Sequence, residues 1–83
     1  MDKITEKINY RYALALDNGQ YLKSLHMGKY AFTNDIEICT KFVSKSAAEN
    51  YIQYFYNDTG MIDIYLFPVK VEITYNLIKE EIG

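Results

Sequence analysis

Eighty-three residues make one small domain, which buries only about 60–65% of the surface its unfolded chain exposes. The chain is 49% hydrophobic and 24% charged with a net charge of −2, a balance that excludes a disordered polyelectrolyte and offers no basic stripe for duplex phosphates. A single cysteine, Cys39, excludes a disulfide scaffold and points to a reducing, cytoplasmic setting.

Residues 1–9 alternate charge with Ile4 and Ile8 and carry no apolar core of a signal peptide. They are expected to form a flexible or loosely docked arm. From Tyr10 the pattern has period two: Tyr10, Tyr12, Leu14 and Leu16 point one way, and Arg11, Ala13 and Ala15 the other. Asp17-Asn18-Gly19 is a turn signal, and alternation resumes from Gln20 to Leu25, so residues 10–25 read as a β-hairpin. His26 to Lys29 reads as a loop, Tyr30-Ala31-Phe32 as a short apolar run, and Asp35 to Cys39 as a single turn.

The helix follows. Ser44 or Ser46 can cap it, and Ser46 with Glu49 has the spacing of a capping box. Ala47, Ala48, Tyr51, Ile52 and Phe55 fall within an arc of about 140° on a helical wheel. Tyr54 and Tyr56 lie at its margins, and Gly60 suits a left-handed exit.

Met61 to Leu77 is the longest strand-like stretch. Ile62, Ile64 and Leu66 share one parity; Val69, Val71, Ile73, Tyr75 and Leu77 have the other. A bulge or sharp bend near Phe67-Pro68 would return both halves to one buried face. The predicted class is therefore α+β: a three- to four-stranded antiparallel sheet, built from the N-terminal hairpin and a long bent C-terminal strand, with one amphipathic helix on one face. The domain is expected over residues 10–78, with a frayed tail over 79–83. No stretch approaches a membrane span.

Chemistry has little to attach to. A nucleophile needs a base beside it, and the sequence holds one histidine, His26, and one cysteine, Cys39. A loop histidine reads as solvated and a lone cysteine as a small buried hydrophobe. The same scarcity argues against a metal site, and four scattered glycines make no phosphate loop. No cofactor and no catalytic residue is expected; a small enzyme built on His26 or an acid ranks last.

The unusual feature is tyrosine, nine of thirteen aromatics. Tyrosine combines a rigid apolar body with a polar tip and is enriched at interfaces. Tyr10, Tyr12, Tyr54, Tyr56, Tyr65 and Tyr75 are the partner-binding candidates, weighed against a plain role at the core margin. Edge strands give a second route, because a partner or a second copy can add to an open ladder. The function expected is thus a non-catalytic protein-binding module. The alternative is a nucleotide or nucleic-acid binder that stacks bases on tyrosine, disfavoured by the sparse Arg and Lys.

Four stretches, Tyr12–Leu22 (YALALDNGQYL), Tyr30–Phe42 (YAFTNDIEICTKF), Ser44–Ile52 and Phe67–Leu77 (FPVKVEITYNL), resemble small phage and prophage accessory proteins of Gram-positive bacteria. Those proteins run from an Asn-Gly hairpin through a helix with an A-x-x-Y-I core to a closing V-x-I-x-Y strand. The resemblance spans residues 12–77 and lies mainly at fold-making positions. Cys39-Thr40-Lys41-Phe42 departs from it, since such proteins often carry Ala before Lys-Phe. It implies a mobile-element origin and an inhibitor or modulator of a host factor or defence system, and it transfers no catalytic residue.

Overall fold

The computed structural model describes the backbone of residues 3–81 and the side chains of residues 7–81. Four strands, β1 (Lys3–Ala15), β2 (Tyr21–Ser24), β3 (Tyr30–Thr33) and β4 (Phe67–Ile78), form one antiparallel sheet in the order β3-β2-β1-β4, with one helix, α1 (Lys45–Thr59). This is the α+β class read from the sequence.

The hairpin between β1 and β2 closes as expected. The Gly19 amide donates to the Leu16 carbonyl and the Leu16 amide to the Gln20 carbonyl, with Gly19 at φ 86°. That is a short hairpin loop whose last residue is left-handed, where glycine has no Cβ to clash. Past the pair Ala15–Tyr21 the two strands part, and residues 40–42 fill the wedge. The Thr40 amide donates to the Leu22 carbonyl, and Phe42 exchanges both backbone bonds with Tyr12, at 2.9 and 2.7 Å. The Thr40 hydroxyl also accepts the Ser24 amide at 2.7 Å.

The helix begins on Ser44, whose hydroxyl accepts the Ala47 amide at 3.1 Å. It ends on Gly60 at φ 70°. Its inward stripe, Ala48, Tyr51, Ile52, Phe55 and Tyr56, packs with Tyr12, Leu14, Leu22, Phe32 and Leu66 into the core. The centre is closed: Leu14 and Leu22 are 0% exposed and Phe55 2%. Tyr30 meets Phe55 edge to face at 5.0 Å between ring centres, an arrangement that favours the ring quadrupoles.

Two expectations change. The described part of the arm, from Lys3 to Asn9, is the first half of β1 and pairs with the far end of β4. The backbone of β4 supplies the hydrogen-bond partners that a free arm would lack. Residues 1–2 and 82–83 of the expected arm and tail lie outside the described residues, and Lys79–Glu81 has no regular structure. In addition, β4 starts at Phe67, and Met61 to Leu66 is a turn segment. The β1–β4 register then runs unbroken from Ala15–Phe67 to Thr5–Leu77, with its only shift between Lys3 and Thr5. No bulge at Phe67-Pro68 is needed to reconcile two parities, because only one of them belongs to a strand.

Candidate functional site

An unbroken register has a consequence for which side of β4 is apolar. Opposed residues of an antiparallel pair share a face, and faces alternate along each strand. Leu14 and Tyr12 pack in the core beneath α1, so their partners Pro68 and Lys70 lie on the helix side, followed by Glu72 and Thr74. The opposite side carries Phe67, Val69, Val71, Ile73, Tyr75 and Leu77. The apolar row of β4 therefore points away from the helix. No second helix or sheet lies over it among the described residues.

Across from that row stand Ala15, Ala13, Arg11, Asn9 and Lys7 in turn. Ala13 and Ala15 are buried, as is Cys39, and all three stand outside the main core cluster. Val69, Val71 and Ile73 are half-buried, Tyr75 is 50% exposed and Leu77 54%. Lys7, Asn9, Tyr75 and Leu77 line a shallow open depression at the far end. Tyr65 extends the row at the near end, its ring 5.6 Å from that of Phe67. On the outer strands the same side shows Tyr21 opposite Thr33 and Lys23 opposite Ala31. From residue 7 onward the strand positions on this face include three bases, Lys7, Arg11 and Lys23, and no acid. The strand positions of this face thus carry bases alone, in a chain of net charge −2.

The six tyrosines singled out by the sequence do not gather on one surface. Tyr12 packs on the core. So does Tyr56, whose hydroxyl oxygen accepts the Leu66 amide at 3.1 Å. Tyr10 is 46% exposed on the helix side, with the Lys70 ammonium 4.4 Å from its ring centre, a cation–π contact. Tyr54 is 52% exposed on the helix, beside Tyr51. Of the six, only Tyr65 and Tyr75 belong with the apolar row, Tyr65 beyond Phe67 and Tyr75 within it. The residues that sequence reasoning passed over are those between them, Val69, Val71 and Ile73 with Arg11. Their signal was present in the parity change near Pro68.

The two groups considered for chemistry lie apart in character. His26 is exposed in a short 3₁₀ turn, His26–Gly28. Cys39 is buried, its thiol donating to the Ile36 carbonyl at 3.2 Å. Burial pushes that thiol above its ordinary pKa, against the partial offset of Lys41, which disfavours the reactive thiolate. Among the described residues no three of His, Cys, Asp and Glu gather to hold a metal, and no helix is long and apolar enough to cross a membrane. No family model matches the chain, and neither a curated protein nor a solved structure does.

Proposed function

We propose that the chain is a non-catalytic protein-binding module that receives its partner on the sheet face opposite the helix. The observation that supports this is the row Phe67, Val69, Val71, Ile73, Tyr75 and Leu77, turned away from α1 by the register of β4. Apolar rows left open and rimmed by polar groups are a common basis of protein association. With Lys7, Arg11 and Lys23 as the charges at the strand positions of that face, the fitting partner surface is apolar at its centre and acidic where it meets these bases. The resemblance of residues 12–77 to phage accessory proteins supports the choice of partner class: a host factor or a defence component that the module inhibits or modulates. The test is co-purification from the host cell followed by mass spectrometry, with the Val71→Asp/Ile73→Asp double variant beside the wild type. A stoichiometric protein is expected with the wild type and is lost with the folded variant; recovery of none with either overturns the proposal.

A second reading, a nucleotide or nucleic-acid binder, gains from the same face. It gathers Tyr21, Tyr65, Phe67 and Tyr75 with three bases, the combination that single strands bind. The centre of the face counts against it, because Val69, Val71 and Ile73 offer no ring to stack on. A labelled single-stranded oligonucleotide that shows no shift at low salt removes this reading.

A further inference from the structure

The outer edge of β4 is open along its length, and its free backbone groups can be assigned. Tyr12 spends both its amide and its carbonyl on Phe42, so both point away from β4. Its partner Lys70 thus sits in a non-hydrogen-bonded pair, with its own amide and carbonyl directed to the free edge. Alternation gives Glu72, Thr74 and Asn76 the same outward orientation. Pro68 belongs to this set, and its missing amide costs the β1 ladder nothing. Among the described residues no strand pairs with this edge.

We propose that β4 is the interface with a second copy of this chain, the two strands pairing antiparallel about a twofold axis at Val71. The side chains select that register. Axes at Lys70 or Glu72 would set a like pair face to face at the centre, Lys on Lys or Glu on Glu. An axis at Ile73 would set Glu72 against Thr74 and Lys70 against Asn76, with no charge matched. With the axis at Val71, Lys70 of each copy opposes Glu72 of the other, twice by symmetry. On the apolar side Val71 meets Val71, Val69 meets Ile73 and Phe67 meets Tyr75. Opposite charges, β-branched pairs and aromatic pairs are the cross-strand partners that stabilise sheets, and this one register supplies all three.

The result is an eight-stranded sheet with one continuous apolar face. The inference stands on the free edge of β4 and goes beyond the reading of that face as a docking surface.

Sedimentation of the full chain over a concentration series tests it. The wild type is expected to sediment at twice 9.7 kDa. Lys70→Glu alone sets acids against acids and Glu72→Lys alone sets bases against bases, so each is expected to weaken self-association by roughly tenfold or more. An equimolar mixture of the two variants is expected to regain dimer, because every acid then opposes a base. Far-UV circular dichroism confirms that each variant is folded. A wild type that stays monomeric, or a dimer indifferent to both reversals, overturns the proposal. A monomer that still captures its protein partner through Val71 and Ile73 leaves the proposed function standing.

Discussion

Leu14 and Ile73 sit on opposite faces of the β1–β4 pair, and a matched comparison of the two separates a buried face from an open one. Leu14 is 0% exposed against Phe55, Ala48 and Leu22. Leu14→Ala removes three carbons from a site that cannot collapse fully, at a cost of about 2.7–5 kcal/mol. Ile73 is half-buried on the open side. Ile73→Thr keeps the branched Cβ that strands favour and loses only part of a burial worth roughly 1.5–3 kcal/mol when complete, so about 1 kcal/mol is expected. With a urea slope near ~1 kcal/mol per molar for a chain of this size, Ile73→Thr lowers the unfolding midpoint by about 1 M. Leu14→Ala lowers it by about 3 M or more, a large share of the roughly 4–12 kcal/mol such a domain possesses. Chemical denaturation followed by circular dichroism reads both. Equal losses at the two positions would refute the assignment of faces.

Further outcomes follow from single contacts. Ser44→Ala is expected to cost about 1 kcal/mol, the loss of a cap that satisfies the Ala47 amide, read by thermal unfolding. Tyr56→Phe removes the oxygen that accepts the Leu66 amide, and an amide left without a partner costs about 1–3 kcal/mol; urea denaturation measures it, and a neutral result contradicts that bond. Gly19→Ala places a Cβ on a residue at φ 86° and is expected to cost about 1–2 kcal/mol, again by denaturation. Burial holds the Cys39 thiol protonated. Its folded pKa is raised, so the contribution to stability is complete below the unfolded thiol's value and is lost as pH climbs through the folded one. Native-state alkylation is therefore expected to be slow at neutral pH and to accelerate sharply in denaturant, and equal rates would contradict the burial.

Local signals carried most of the architecture. Asp17-Asn18-Gly19 and the alternation around it specify a hairpin by turn chemistry alone, and the stripe from Ala48 to Phe55 with Ser44 and Gly60 specifies a helix by its own periodicity. Pairing between distant segments was less legible. Residues 3–9 look like an arm because what makes them strand is the backbone of β4, some seventy residues away. The parity change across Pro68 is visible in the sequence, and it implies a bulge only if every apolar row must be buried. Physically, an edge strand with one open side keeps its register and leaves its apolar row outside. Residue type, helix margin and strand position nominate six tyrosines; of these, Tyr65 and Tyr75 lie with that row, whereas Tyr12 and Tyr56 serve the core.

Methyl nuclear Overhauser contacts of Val69, Val71 and Ile73 probe the outward apolar face most directly. Contacts to strand neighbours such as Ala13, with none to Ala48 or the Phe55 ring while Leu14 shows both, are the expected result. Strong contacts from Val71 or Ile73 to Ala48 or Phe55 would place that row beneath the helix and contradict the surface on which the proposed function stands.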